Sequence, residues 1–193
     1  MFKTSQLSIA LCCTSALLFS GCQHIIKPQS APSTAQAEQP NEFDLQGKIG
    51  VRTPQQSGSA FFTWSQHQDD FDIELSGILG VGKTQIEGKP GEVTLNSAKT
   101  GLITASSPEE LLKRATGWDA PITHIVSWVQ AKPATLLAKT MQDDQGRIKD
   151  IQEDGWNVNL SYNAQQTLPN KLILKQSLAD NQENRITMII QNR

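Results

Sequence analysis

The 193-residue sequence predicts an α+β domain that is mainly antiparallel β, a sheet of about ten strands with two or three helices inserted midway. Three observations predict it. In short runs before and after the middle of the chain, apolar residues recur at every second position, the period of a half-buried strand. Turn-length gaps join these runs, as in an antiparallel meander. Between about residues 107 and 133 the apolar spacing lengthens to that of a helix. A sheet this long curls, and its concave face must be filled by the helices or by a ligand.

The chain opens with Lys3 and a 13-residue apolar run, Leu7 to Phe19. That is too short to span a bilayer and has the length of a signal-peptide core. Leu18-Phe19-Ser20-Gly21-Cys22 follows the pattern of a bacterial lipobox, in which cleavage precedes the cysteine and the cysteine takes the lipid. Residues 1–21 are therefore expected to be removed and Cys22 to be acylated. All three cysteines, Cys12, Cys13 and Cys22, belong to this region, which leaves the rest of the chain with no disulfide framework and no thiol chemistry. Gln23 after the cysteine, rather than Asp, points to the outer membrane by likeness to sorted lipoproteins. Loss of Lys3 takes the net charge from −2 to −3. This is neither a nucleic-acid footprint nor a polybasic membrane patch.

Residues 22–41 hold the lipidated cysteine and a stretch rich in Pro, Ala, Ser and Gln, which reads as a disordered tether with an average span of roughly 25 Å. The folded domain is expected over 42–193. Its strand signals are Phe43, Leu45, Gly47, Ile49 and Val51; then Ala60, Phe62 and Trp64; then Phe71, Ile73 and Leu75; then Thr84 to Gly88; then Val93 and Leu95; then Gly101 to Ala105. Ser107-Pro108-Glu109-Glu110 is a helix start, with Ser as cap, Pro at the first helical position and Glu three residues after the cap, and Gly117 is its stop. Pro121 opens a second helix with Ile122, Ile125, Val126 and Val129 on one face, and Pro133 ends it. Ala134 to Lys139 is expected to form a helical turn. Strands resume at Arg147–Ile151 and at Trp156, Val158, Leu160 and Tyr162, with Asp154-Gly155 as a hairpin signal. Leu172 and Leu174, then Ile186, Met188 and Ile190, give two more.

One stretch breaks the rule that turns are polar. Ser76-Gly77-Ile78-Leu79-Gly80-Val81-Gly82-Lys83 lies between two strands, holds three glycines, and still carries Ile78, Leu79 and Val81. Either the strands run on and these side chains are core, or an apolar finger projects to meet a membrane or an apolar ligand.

The residues offer little chemistry. His24 is in the tether, His67 in a polar turn, and His124 has no acidic or cysteine partner at metal-ligand spacing. Asp69-Asp70 and Asp143-Asp144 read as solvated turns, and the latter lacks the alternating ligands of a calcium loop. Neither a Gly-x-Ser-x-Gly elbow nor a Gly-rich phosphate loop occurs. A non-enzyme without cofactor or metal is the expectation. For binding, the inward candidates are large: Phe62, Trp64, Ile73, Leu75, Ile86, Val93, Leu95, Ile148, Val158 and Leu160, lying under Leu112, Ile125 and Trp128. They are core, or they line a cavity for an apolar ligand.

Several segments occur in an order and spacing that resemble the LolB family of outer-membrane lipoproteins. They are Phe43-Asp44-Leu45-Gln46-Gly47-Lys48-Ile49-Gly50-Val51, Gly58 to Trp64, Leu75 to Gly80, Pro108 to Leu112 with Gly117, Pro121-Ile122 with Trp128 and Pro133, and Asp154 to Val158 with Tyr162. The match runs over about 43–190. Ala131 departs from it, standing where the family usually has Gly. The resemblance implies an open, half β-barrel of about 10–11 strands, with inserted helices covering a cavity for acyl chains. It implies a receptor that takes acylated lipoproteins from the periplasmic carrier LolA and inserts them into the inner leaflet of the outer membrane. Leu79 then sits in the apolar loop needed for release, with Ile78 and Val81 as supporting surface. The cavity set is Phe62, Trp64, Ile73, Leu75, Ile86, Val93, Leu95, Trp128, Ile148, Val158 and Leu160. The partners are the carrier, the acylated cargo and outer-membrane lipid, and the chain is expected to be a lipid-anchored monomer facing the periplasm. The alternative is a non-catalytic outer-membrane lipoprotein scaffold with a packed core.

Overall fold

The computed structural model describes residues 41–77, 82–117 and 119–193, which fall in one compact unit. Eleven antiparallel strands form a single sheet. They are β1 (Glu42–Arg52), β2 (Ser57–His67), β3 (Asp70–Ser76), β4 (Lys83–Lys89), β5 (Glu92–Ser97), β6 (Gly101–Ala105), β7 (Lys139–Gln142), β8 (Ile148–Glu153), β9 (Trp156–Ser161), β10 (Lys171–Ser177) and β11 (Glu183–Asn192). Two helices, α1 (Pro108–Thr116) and α2 (Ile122–Trp128), stand between β6 and β7. The spatial order is β6-β5-β4-β3-β2-β1-β11-β10-β9-β8-β7. Two meanders thus meet where β1 pairs with β11, and β6 and β7 form the two edges. The sheet is open.

The alternation read from the sequence sets the faces. Along β2, Ala60, Phe62, Trp64 and Gln66 are buried and their neighbours Ser59, Phe61, Thr63, Ser65 and His67 are exposed. At the seam, Gly47 is required by close approach, since a Cβ there would lie 1.9 Å from the Ile189 carbonyl oxygen. The β8–β9 hairpin turns through Asp154 (φ 47°) and Gly155 (φ 77°), two left-handed residues of the kind a type I′ turn needs. Helix α1 starts as its sequence says: the Ser107 hydroxyl accepts the Glu110 N–H at 3.2 Å, and Glu110 reaches back to the Ser106 N–H at 2.9 Å. Gly117 closes it at φ 74°. Glu109 bridges the helices, accepting the Thr123 N–H at 2.8 Å at the start of α2.

Both helices lie on the concave side, where Ile125, Trp128 and Val129 join Leu45, Phe62, Val158, Leu160, Leu172, Leu174 and Ile186 in one core. The hairpin ends define two rims. Arg52 pairs with Ser57, Ser76 with Lys83, Ser97 with Gly101, Glu153 with Trp156 and Ser177 with Glu183, all at one rim. Lys139, opposite Gln152, starts β7 at that same rim. His67–Asp70, Lys89–Glu92 and Gln142–Ile148 turn at the other.

Five expectations change in detail. Ala134 to Lys139 is not a helical turn: 134–137 are bends and turns, and Lys139 is the first residue of β7. Glu153 fixes the start of the segment, its carboxylate accepting the Ala134 and Thr135 N–H groups, and Lys139 is taken up by pairing with β8. Strand β7 raises the count to eleven, and it escapes the alternation rule because all four of its residues are exposed. His67 ends β2 and Asp70 opens β3, so the turn between them narrows to Gln68-Asp69. His124 does have an acidic neighbour, Asp154 across on the β8–β9 hairpin, with Nε2–Oδ2 at 3.6 Å. Asp143, expected to be solvated, is half-buried and paired with Arg147 at 2.7 Å.

Candidate functional site: a half-buried apolar wall

The register of β1 through β6 lines up one transverse row on the concave face: Leu45, Trp64, Ile73, Ile86, Leu95 and Ile103. Each is opposite the next, so the row crosses six strands without a polar break. Burial changes along it. Leu45 and Trp64 are in the core, whereas Ile73, Ile86, Leu95 and Ile103 are only half-buried. The row beside it runs Phe62, Leu75, Thr84, Ser97 and Gly101, shrinking toward the β6 edge. On the other side run Gln66, Phe71, Gly88, Val93 and Ala105, and the Phe71 ring occupies the space above Gly88, 2.2 Å from where a Cβ would stand. Gly88 therefore lets an aromatic ring lie flat at the rim of the wall.

The wall ends where the core begins, at Trp64. Its indole N–H donates to Gln66 Oε1 at 2.9 Å, and Gln66 in turn donates to the Gln68 carbonyl at 2.7 Å. Phe43 meets the Trp64 ring edge-on at 5.2 Å. Both polar groups of the buried Gln66 side chain thus have partners, so Trp64 is fixed as the boundary between packed and open surface.

The predicted cavity set divides by burial. Phe62, Trp64, Val93, Trp128, Val158 and Leu160 are buried, while Ile73, Leu75, Ile86, Leu95 and Ile148 are half-buried. Trp128 is wholly buried, and its indole N–H donates to Glu153. Ile148 faces inward because of a bulge: Met141 pairs with Asp150 but Gln142 pairs with Ile148, so Lys149 is the extra residue. Ile103, absent from the predicted set, completes the row; two adjacent apolar residues, Leu102 and Ile103, hid which of them faces inward. One open groove of about 510 Å³ borders the wall at the rim of Phe71 and Gly88, where His67, Asp70 and Glu92 give it a mixed lining, and a more polar one of about 580 Å³ runs along Gln152, Asn157 and Lys175.

Ile78, Leu79 and Val81 lie outside the described residues, as does Cys22. Their brackets do not: Ser76 and Lys83 pair across β3 and β4, and Lys83 reaches Glu74 at 2.5 Å. Six residues therefore join these strands, entered by Gly77 at φ 79° and left by Gly82 at φ 53°.

Behind the wall the packing is anchored by one buried carboxylate. Glu153 is 6% exposed and accepts the Trp128 indole N–H, the Ala134 N–H at 2.9 Å, the Thr135 N–H at 2.8 Å and the Thr135 hydroxyl at 2.9 Å. Burial alone pushes this carboxyl up; the Ala134 amide, the Trp128 indole and the Thr135 donors outweigh it and hold it below the ordinary carboxylate value.

A curled, open antiparallel sheet with helices on its concave side and a long apolar row, half-buried over four strands, defines a class: a binder of apolar chains. The comparisons agree with this class and narrow it. Residues 41–192 match the family described as outer membrane lipoprotein LolB. Among curated relatives, the outer-membrane lipoprotein LolB of Pseudomonas putida strain F1 is 40% identical over 144 residues, covering 72% of this chain and 70% of its own. That of Pseudomonas fluorescens strain Pf-5 is 37% identical over 152 residues, covering 77% and 72%. The chain belongs to the LolB family of outer-membrane lipoproteins.

Proposed function

We propose that this chain is the outer-membrane receptor of lipoprotein transport. It takes acylated lipoproteins from a LolA-like periplasmic carrier, holds their acyl chains on the concave wall, and passes them into the inner leaflet of the outer membrane. The observation that carries this reading is the row Ile73, Ile86, Leu95 and Ile103, apolar across four strands and left half-open although it faces the core side of the sheet. Each acyl CH₂ removed from water is worth about 0.8 kcal/mol, so a lipoprotein's chains cannot cross free solvent at a useful rate and must move from one apolar surface directly to the next. The wall supplies that surface, with Leu75 and Ile148 at its margins and Phe62, Trp64, Val93, Trp128, Val158 and Leu160 as its packed support. No step needs a nucleotide or a covalent intermediate; transfer runs downhill in apolar burial.

Cys22 carries the anchor, residues 22–41 the leash, and 42–193 the receiving domain. Leu79, flanked by Ile78 and Val81, acts at the bilayer surface, offering the chains a dry route out. The chain acts as a monomer and has no catalytic residues. Leu79→Glu is expected to leave cargo acceptance intact and to stop delivery to vesicles. Delivery at the unaltered rate would remove Leu79 from the mechanism. A long-chain acyl probe is expected to quench tryptophan fluorescence saturably, through Trp64. Absence of saturable binding would favour the scaffold with a packed core.

A further inference from the structure

We propose that Leu136 and Leu137 form a second bilayer contact, on the rim that also carries the β3–β4 connection. Leu136 is 104% and Leu137 92% exposed, the two most exposed large apolar side chains among the described residues. They are adjacent, and they are held out by construction. The two residues before them, Ala134 and Thr135, are clamped through both backbone N–H groups and the Thr135 hydroxyl to the buried Glu153 carboxylate. The residue after the following Ala138 enters β7 opposite Gln152. A pair of leucines fastened at both ends and left fully in water has no account in the packing of the domain.

The occupant is argued from charge and position. Residues 129–142 contain Lys132 and Lys139 and no acid. Two lysines flanking an apolar tip suit the phosphate level of a lipid surface, with the tip below it and the ammonium groups at the headgroups. Of the acids at this rim, Glu153 is buried in the clamp and Asp154 lies 3.6 Å from His124. The rim itself is shared: Lys139 and the Ser76–Lys83 pair lie at the same end of the sheet. A bilayer touching this rim meets the two leucines near β7 and the Ser76–Lys83 end of β3 and β4 further along the same rim. The rim is then held against the lipid surface rather than tilted on one contact. This inference rests on the receptor reading for its purpose, but its test does not.

The full acylated chain is reconstituted in vesicles of phosphatidylethanolamine with a minority of phosphatidylglycerol. An environment-sensitive fluorescent amino acid is introduced at position 137 and, separately, at position 145 in the turn of the opposite rim. Position 137 is expected to shift to the blue and to be quenched by nitroxide-labelled lipid, and position 145 to do neither. Equal, water-like emission at both positions overturns the proposal. Drying of position 137 only when the periplasmic carrier is added also overturns it, in favour of a carrier contact. In the same vesicles the double variant Leu136→Ser, Leu137→Ser is expected to slow cargo delivery at least tenfold, well within what two leucines leaving water supply, while acyl-probe binding to the wall is unchanged. An unaltered delivery rate overturns the proposal. Loss of probe binding by the unsubstituted chain would instead sink the receptor reading and leave the fluorescence result standing.

Discussion

Replacing Glu153 by Gln removes one negative charge and almost no volume, so what it disturbs is the hydrogen bonding. One carboxylate oxygen accepts the Trp128 indole and the Ala134 amide; the other accepts the Thr135 amide and hydroxyl, with Ala134 shared at 3.1 Å. An amide nitrogen in either place points donors at donors. The variant loses at least two bonds to a charged acceptor, each worth about 1.5–3 kcal/mol, and regains part of that because a neutral group is cheaper to bury. A net loss of about 2–3 kcal/mol is expected, or a fall in Tm of roughly 10 °C for a domain of this size. The pH dependence provides an independent reading. The folded carboxyl lies below its ordinary value of 4.5, so between the two values the unfolded chain binds the extra proton. The contribution is fully present above the unfolded value and disappears as pH falls through the folded one. Glu153→Gln should therefore flatten that part of the acid limb. Thermal unfolding followed by tryptophan fluorescence, repeated from pH 7 downward, measures both. A Tm within about 1 °C of the unsubstituted chain, with the acid limb unchanged, would refute the clamp.

Other outcomes follow from single positions. Ala131 holds φ 57°, a left-handed conformation that costs a non-glycine residue about 1–2 kcal/mol. Ala131→Gly is expected to raise stability by about 0.5–1 kcal/mol in urea unfolding, after the entropy of the added glycine is subtracted. Gly47→Ala drives a methyl into the Ile189 carbonyl, so the β1–β11 seam has to open; a loss above about 3 kcal/mol, or an insoluble product, is expected. Gly88→Ala collides with the Phe71 ring, which can swing toward the wall. Folding is expected to survive, at a cost of about 1–2 kcal/mol and with weaker acyl-probe binding.

The strands were legible wherever one face is buried, because period-two alternation is the imprint of a half-buried sheet. That is why β1 and β2 emerge with their faces assigned. The helix start at Ser107 and the stop at Gly117 were legible for another reason, that capping chemistry is local. Strand β7 was not legible. Lys139, Thr140, Met141 and Gln142 bury nothing, and they are a strand only because β8 is there to pair with. The bend at Ala134 was hidden because its partner, Glu153, is 19 residues away. The wall residues share one face with the core residues Leu45 and Trp64. What the pattern lacked was the gradient along the row, since alternation gives a face but not what covers it. Only the positions of α1 and α2 decide that Trp64 is packed and Leu95 is half-open. Ala131 was noticed as a departure from the family pattern, and its positive φ gives that departure a physical meaning.

The receptor account stands on acyl chains lying along Ile73, Ile86, Leu95 and Ile103. A photoreactive amino acid placed at position 86 or 95, with acylated cargo presented on the periplasmic carrier, tests this directly. Cross-links to cargo acyl chains are expected from both positions and not from position 61 or 189, exposed on the convex face. Cargo cross-linked equally from the convex positions, or not at all from 86 and 95, would contradict the account.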